Sequence, residues 1–275
     1  MTAATVLELQ PFTKRDPLSP AARAFRADPY TPHCRVIRDD GDHAVIGVSP
    51  GNSYFSAQRI HDLARWGLAC FEQVDFVYTD LYVAEMYEAF GYPPDEARRK
   101  YVKNLRGVRA KVNNAVEALD PEGLRLRGRP MSSFADNPAY RDIHSHLEAR
   151  LAHDDDFRST CDALVDGFLS SKVLGGGRAT EEQRAVCLRY VCAEAPLFLD
   201  TPAILGVPSS LNCYHQLLPM AELLYSRGHG LRASRNQGHA IITPADPAER
   251  AEHAQHERPA EPAEPAESAE GADRR

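Results

Sequence analysis

The sequence predicts an α/β fold built on a mostly parallel sheet. Short apolar runs alternate with segments of helical spacing, and the first two runs, HAVIGVS (43–49) and VDFVYTD (74–80), are almost continuously apolar. Strands of a parallel sheet are covered on both faces, so they show continuous rather than alternating apolar patterns. Ligands bind such sheets at the carboxyl ends of the strands, which places residues 49–53 at the expected site.

The remaining predicted elements follow along the chain. Helices are predicted at 56–73, 81–92, 94–118, 137–169 with a break near 153–156, 180–194 and 218–226. Strands are predicted at 124–129, 203–207, 211–215 and 239–243. Gly91 and Pro93 are typical helix-ending residues, and Thr180 with Gln183 matches a capping box. The GGG sequence at 175–177 predicts a loop.

The chain divides into one domain and two outer segments. Residues 1–34 are rich in proline and charge without clear periodicity, so we expect a loosely ordered lead-in before a single domain at 35–245. Residues 246–275 are rich in Pro, Ala and Glu, and we expect them to be disordered because they bury too little apolar area. Residues 245–275 hold nine acidic and four basic side chains, so most of the net charge of −7 lies there.

Several classes of protein do not fit this composition. No run approaches the roughly 18 to 20 apolar residues of a membrane helix, and the N-terminus does not resemble a secretory signal. We therefore expect a cytoplasmic protein that does not bind membranes. The six cysteines form no CxxC pair and no Cys/His cluster has ligand spacing, so we expect free thiols and no metal.

Ser49 is the first candidate for chemistry. It ends the first predicted strand, and Gly47-Val48-Ser49-Pro50-Gly51 fits the G-x-S-x-G pattern of serine hydrolases. In those enzymes the residue after the serine donates its N–H to the oxyanion, and Pro50 has no N–H. No acid and histidine follow in the expected order. A serine hydrolase therefore remains an alternative, as does a serine that only ends the strand.

Basic residues are concentrated on the predicted helix 94–118. They are Arg98, Arg99, Lys100, Lys103, Arg106, Arg109 and Lys111. Between 98 and 129 there are ten basic and three acidic residues, whereas solvated helix faces usually mix the two signs. This pattern favours a surface that binds the phosphates of a nucleic acid. A non-catalytic RNA-binding module is a second alternative.

Two further clusters carry polar side chains at the ends of elements. Tyr190 and Glu194 are four apart and project from one helix face, where a glutamate near the helix C-terminus opposes the helix dipole. Glu194 could therefore hold an ammonium group or form an ordinary surface pair. Tyr214 and His215 end a predicted strand and could reach the same crevice, although tyrosines at strand ends more often pack.

Together these segments resemble the cyclodipeptide synthases. The resemblance is carried by HAVIGVSPGNSYFS, the basic helix, YVCAEAPLFLDTPAILGVPSS and CYH, in family order, and spans about 35–244. Asn52, Tyr214 and His215 match the Asn-Tyr-His pattern of one of its two subfamilies. The resemblance implies a Rossmann-like domain similar to class I aminoacyl-tRNA synthetases. It also implies an aminoacyltransferase that joins the amino acids of two aminoacyl-tRNAs into a 2,5-diketopiperazine.

The resemblance also implies roles for individual residues. Ser49 would carry the first aminoacyl group as an ester in a ping-pong mechanism without cofactor or metal. Tyr190 and Glu194 would hold its ammonium, Tyr214 would position it and relay protons, and Asn52 and His215 would belong to the substrate site. The basic helix would bind the first tRNA. We expect a monomer.

The family's first side-chain pocket can be placed on this sequence. Its lining would be Val45, Gly47, Val77, Met131, Leu197 and Asn212. The set is mostly apolar and favours an apolar or aromatic first amino acid. Asn212 departs from this character, and because a buried amide needs a hydrogen-bond partner, a polar or indole-bearing side chain remains open.

Overall fold

A six-stranded sheet forms the centre of the protein. The computed structural model describes residues 15–172, 179–226 and 230–246. The strands are β1 (Phe25–Pro29), β2 (His43–Val48), β3 (Gln73–Tyr78), β4 (Leu126–Pro130), β5 (Ser210–Tyr214) and β6 (Gln237–Pro244). The helices are α1 (Pro32–Asp40), α2 (Ala57–Cys70), α3 (Val83–Ala89), α4 (Pro94–Leu119), α5 (Pro138–Leu151), α6 (Asp155–Lys172), α7 (Glu181–Leu205) and α8 (Pro219–Ser226). A short 3-10 helix spans Met131–Phe134.

The sheet is mostly parallel, as predicted. Its order is β1-β6-β5-β2-β3-β4, and only the edge strand β1 pairs antiparallel. From β2 the chain proceeds outwards through β3 and β4, then returns to place β5 on the other side of β2. The topological switch point therefore lies between β2 and β5, where an α/β sheet opens a crevice at its carboxyl ends.

The two faces of the sheet pack into separate cores. Ala44, Ile46 and Val48 of β2 face one core, which α1, α2 and α4 cover. Val45 lies in a second cluster on the other face, together with Val77 and Leu197. Because side chains alternate along a strand, β2 contributes to both cores and is buried along its length.

The boundary of the N-terminal lead-in was wrong. Phe25–Pro29 forms β1 against β6, and α1 begins at Pro32, inside the segment expected to be loosely ordered. Thr31 caps α1 through the N–H of Cys34, and Gly41 ends it in the left-handed conformation. β1 is ordered by pairing with a strand about 200 residues away, which no local pattern reveals.

The predicted strand at 203–207 was also wrong. The segment up to Leu205 belongs to α7, which begins at the predicted capping box of Thr180 and Gln183 and ends at Gly206. Asp200 leaves the helical conformation (φ −158°, ψ 64°), and its carboxylate accepts from the N–H of Ala203. Asp200 therefore caps a second helical segment that follows a kink. This segment is short and apolar, so its sequence alone resembles a strand.

The other predicted elements are present with shifted ends. The break expected near 153–156 separates α5 from α6, where the Asp154 carboxylate caps α6 through the N–H of Phe157. The predicted loop at 175–177 and all but the first residue of the predicted tail at 246–275 lie outside the described residues.

Candidate active site

A cavity of about 140 Å³ opens at the switch point between β2 and β5. Its walls come from the carboxyl ends of the central strands and from α7, which crosses above them. Every residue expected in the first side-chain pocket lines it: Val45, Gly47, Val77, Met131, Leu197 and Asn212. Ser49, Tyr190, Glu194 and Tyr214 line the same cavity. Thus ten residues that are dispersed along the sequence share one site.

Ser49 and Tyr214 meet where β2 and β5 end. Ser49 follows the last residue of β2, Tyr214 is the last residue of β5, and their hydroxyl oxygens lie 2.9 Å apart. A Cβ at Gly47 would stand 3.3 Å from the Tyr214 ring, so glycine there permits this approach. Burial raises the pKa of Tyr214 to about 12, although the bond to Ser49 opposes the shift. The phenol is therefore protonated at neutral pH and can exchange a proton with Ser49.

Glu194 faces the cavity from α7 with two hydroxyl partners. The Thr79 hydroxyl donates to Glu194 Oε1 at 2.5 Å, and the Tyr190 side chain hydrogen-bonds with both Thr79 and Glu194. Burial raises the pKa of Glu194, and the hydrogen bonds from Thr79 and Tyr190 oppose that rise. A buried carboxylate held by hydroxyl groups is suited to bind an ammonium group.

Thr79 was missed by the sequence analysis. The sheet pairs Val48 with Tyr78, so Ser49 and Thr79 are equivalent next residues on neighbouring strands. Both leave the sheet at its carboxyl edge. Thr79 lies near the end of the second predicted strand (74–80), much as Ser49 ends the first, so a search for hydroxyl residues at the ends of the predicted apolar strands would have found it. Its contact with Glu194 depends on where α7 packs.

Asn52 and His215 lie beside the cavity rather than in its lining. Asn52 Nδ2 is 3.4 Å from His215 Nε2, and Asn52 Oδ1 accepts from the N–H of Tyr54. The His215 ring stacks on Tyr54 with 4.3 Å between centroids. The Asn52–His215 contact therefore attaches the loop containing Ser49 to the end of β5. The sequence had not distinguished this supporting position from direct contact with the substrate.

The structure divides the basic residues of α4 into two groups. Those on the open surface are Arg98, Arg99, Lys103, Arg106 and Arg109, although Arg109 also hydrogen-bonds with Tyr78. Lys100 and Lys111 are half-buried. The ammonium of Lys100 lies 4.6 Å from the Tyr92 ring centroid, and Lys111 donates to the carbonyl of Phe55 at 2.8 Å.

Helix α4, which carries the exposed basic residues, adjoins the serine loop through its half-buried side. Gly51, in that loop, approaches α4 so closely that a Cβ would stand 2.6 Å from Asn104 Nδ2. Lys111 holds the same loop from the next turns of α4 through Phe55.

Fold and site together define a Rossmann-like α/β protein with a serine and a tyrosine at the switch point of its sheet. A sequence profile of the family described as cyclodipeptide synthase matches residues 25–244. The chain belongs to the cyclodipeptide synthase family. Members take aminoacyl-tRNAs as substrates and form cyclic dipeptides, so the serine-hydrolase and non-catalytic RNA-binding alternatives are not retained.

Individual relatives agree with this assignment. The chain is 62% identical over 231 residues to the cyclo(L-tyrosyl-L-tyrosyl) synthase of Mycobacterium tuberculosis, covering 84% of this chain and 80% of the relative. It is 34% identical over 212 residues to the cyclo(L-leucyl-L-phenylalanyl) synthase of Streptomyces noursei, covering 77% and 89%.

Solved structures support the fold. One from Mycobacterium tuberculosis, described as demonstrating that cyclodipeptide synthetases are related to type I tRNA synthetases, has a TM-score of 0.75 and 63% identity. It covers 81% of this chain and 94% of that one. A crystal structure of cyclo(L-leucyl-L-phenylalanyl) synthase has a TM-score of 0.74 and 32% identity, covering 80% and 99%.

Neither a membrane-spanning helix nor a metal-binding cluster is found within the described residues. In residues 15–172, 179–226 and 230–246, no helix is long and apolar enough to cross a membrane. The same part of the chain holds no group of three or more His, Cys, Asp or Glu side chains that could bind a metal ion.

Proposed function

We propose that this enzyme makes cyclo(L-tyrosyl-L-tyrosyl) by a ping-pong mechanism through a tyrosyl ester on Ser49. The observation that carries the mechanism is the 2.9 Å contact between Ser49 Oγ and the Tyr214 hydroxyl, at the mouth of a cavity that Glu194 also lines. The tyrosyl assignment rests on the 62% identity to a relative named for that product.

The first step exchanges one ester for another. Ser49 Oγ attacks the carbonyl carbon of the first tyrosyl-tRNA, and the bond from that carbon to the tRNA ribose oxygen breaks. Tyr214 accepts the Ser49 proton while it gives its own proton to the leaving ribose oxygen. Since the aminoacyl ester is already activated, no histidine is needed to make the serine a stronger nucleophile.

Glu194 orients the bound amino acid. Its carboxylate, held by Thr79 and Tyr190, accepts hydrogen bonds from the α-ammonium of the tyrosyl group. This contact places the carbonyl carbon beside Ser49 and the side chain in the cavity. Fixing both ends of a short molecule is the main source of rate in a transfer that uses a modest nucleophile.

The later steps turn two esters into two amides. The second tyrosyl-tRNA reacts with the enzyme-bound tyrosyl group, so that one amide forms and one ester breaks. Attack of the remaining amine on the remaining ester closes the six-membered ring and releases the product. Two tRNA molecules and unmodified Ser49 are regenerated, and no further reactant is needed.

The cavity fits a phenol better than an aliphatic side chain. Val45, Val77 and Leu197 form apolar walls, and Asn212 brings one buried amide among them. Asn212 Nδ2 is 3.5 Å from the carbonyl oxygen of Leu197, which is long for a hydrogen bond. A second hydrogen on the same nitrogen can therefore be donated to a tyrosyl hydroxyl.

The exposed basic residues of α4 are assigned to the tRNA. They lie on the helix that contacts the serine loop through Asn104 and Lys111, so phosphates bound along this helix would bring the acceptor end towards Ser49. Membership of the Asn-Tyr-His subfamily is supported by the match of its pattern to Asn52, Tyr214 and His215. We also infer a monomer, because Ser49, Glu194 and Tyr214 of one chain line the same cavity, so the proposed chemistry needs no residue from a second copy. A cytoplasmic location is supported by the aminoacyl-tRNA substrates and by six free cysteines.

The decisive experiment incubates purified enzyme with tyrosyl-tRNA and analyses protein and products by mass spectrometry. We expect cyclo(L-tyrosyl-L-tyrosyl), together with a tyrosyl adduct on a peptide that contains Ser49. Ser49→Ala should give neither, while its circular dichroism matches that of the wild type. Product formation by folded Ser49→Ala would overturn the ester mechanism, and a different cyclic dipeptide from a mixed pool of charged tRNAs would overturn the tyrosyl assignment.

A further inference from the structure

One buried histidine lies next to the cavity and has no part in the mechanism above. His239 of β6 is fully buried, and neither ring nitrogen has a hydrogen-bond partner among residues 15–172, 179–226 and 230–246. Its ring packs near the rings of Phe198 and Tyr225, with 6.0 and 5.9 Å between centroids. A buried imidazole with an unused donor and an unused acceptor is unfavourable, so its presence requires an explanation.

The sheet places His239 directly beside Asn212. The two residues are register partners on the parallel strands β5 and β6, so their side chains project from the same face. Asn212 lines the cavity, and Phe198 contributes to the cavity wall as well as to the packing around His239. His239 thus stands immediately behind the wall that would receive the first side chain.

The hydrogen-bonding groups of the two side chains are complementary. Asn212 uses one amide hydrogen weakly, towards the carbonyl of Leu197, while its Oδ1 can accept a further hydrogen bond. Burial lowers the pKa of His239 to about 4, so the ring is neutral at physiological pH and carries one N–H donor. A donor from His239 to Asn212 Oδ1 would fix which end of the amide faces the cavity.

We propose that His239 is a positioning residue for tyrosine selection, which orients the Asn212 amide so that Nδ2 donates to the hydroxyl of the bound tyrosyl group. This inference rests on the proposed function. The structure itself shows no hydrogen bond from His239 to Asn212. In the proposed complex with the first amino acid, Asn212 Oδ1 accepts from His239, and the two Nδ2 hydrogens go to Leu197 and to the phenol oxygen. Without His239, the amide can rotate and present its oxygen or nitrogen to the cavity.

The proposed role of His239 affects selectivity between tyrosine and phenylalanine rather than the overall rate. A buried site arranged to hydrogen-bond a substrate hydroxyl rejects the analogue that lacks it, because the polar group of the site is then unpaired. Phenylalanyl-tRNA should therefore be a poor substrate of the wild type. Loss of His239 should weaken the use of tyrosine while leaving the use of phenylalanine nearly as it was.

The test compares kcat/KM for one tRNA charged either with tyrosine or with phenylalanine. His239→Leu should lower the tyrosine-to-phenylalanine ratio by roughly tenfold, the size of a typical coupling between neighbouring side chains. His239→Gln, which retains a side-chain N–H, should keep more of the ratio. Ile242→Val, a buried change on the opposite face of β6, should leave the ratio unchanged.

Each outcome decides the matter. An unchanged tyrosine-to-phenylalanine ratio in folded His239→Leu would overturn the positioning role, including the case in which kcat/KM falls equally with both amino acids. If the leucine variant does not fold, His239→Phe provides the same test. A lowered ratio in Asn212→Leu together with an unchanged ratio in His239→Leu would overturn this inference alone. A wild type that shows no preference for tyrosine would overturn both this inference and the proposed product.

Discussion

The hydroxyl oxygens of Ser49 and Tyr214 lie 2.9 Å apart, although 165 residues separate them in the chain. The contact exists because β2 and β5 are neighbours at the switch point of the sheet and both end at its carboxyl edge. The proposed nucleophile and the proposed proton-transferring phenol are thereby held at the mouth of the cavity by two buried strands.

Tyr214→Phe should slow product formation by about 10² to 10⁴, because it removes the group proposed to relay the Ser49 proton. Initial rates with saturating tyrosyl-tRNA measure the effect, and circular dichroism checks the fold. Tyr30→Phe, in the half-buried loop after β1, removes a phenol far from Ser49 and should retain wild-type activity. Wild-type rates in folded Tyr214→Phe would contradict the relay.

Thr79→Val should move the acidic limb of the pH–rate profile to higher pH. The Thr79 hydrogen bond stabilises the Glu194 carboxylate and lowers its pKa against the rise caused by burial, so its loss raises that pKa further. Since Glu194 would bind the substrate ammonium in its ionised form, activity would then fall at a higher pH during acidification. Thr79→Ser keeps the hydroxyl and should reproduce the wild-type profile, whereas coincident profiles for all three proteins would refute the coupling.

Arg99→Glu combined with Arg106→Glu should raise KM for aminoacyl-tRNA roughly tenfold and flatten its dependence on salt. Each lost phosphate contact removes counterion release from binding. The matched control is Arg35→Glu with Arg235→Glu, which makes the same charge change on exposed arginines at the opposite end of the sheet. If both double variants change KM equally, the effect is one of net charge and not of the α4 surface.

Protonation of His239 in the unfolded chain should lower the free energy of unfolding in mild acid relative to neutral pH. Its folded pKa is lowered to about 4 by burial among Phe198 and Tyr225, with Cys34 Sγ against its backbone N–H. The unfolded chain takes up the proton near pH 6.5, so this contribution to stability is full above that pH and falls as pH approaches 4. Between pH 7 and pH 5 the loss is about 2 kcal/mol.

Denaturant unfolding at pH 7 and pH 5 measures this loss. His239→Leu has no imidazole to protonate, so its stability difference between the two pH values should be smaller than that of the wild type by about the same 2 kcal/mol. Equal differences in the two proteins would show that other groups account for the acid sensitivity.

Much of the site could be predicted because its residues lie at the ends of apolar runs or share a helix face. Ser49 follows a continuous apolar run, and Tyr190 and Glu194 share a helix face by their spacing alone. Thr79 lies near the end of the second such run (74–80) but was passed over, since a lone threonine in the sequence indicates no partner. Its importance comes from α7, which lies across the sheet and brings Glu194 within 2.5 Å.

Local pattern by itself determined the alternation of strands and helices, the capping box at Thr180 and the segments that hold the reacting groups. Apolar periodicity and capping depend on residues within one or two turns of each other, so they are legible in the sequence. Only the tertiary structure decided that β1 is ordered, that Asp200 kinks α7, and that His239 stands behind Asn212. These features depend on strand register and burial between segments up to about 200 residues apart, and no local pattern records which distant residues will meet.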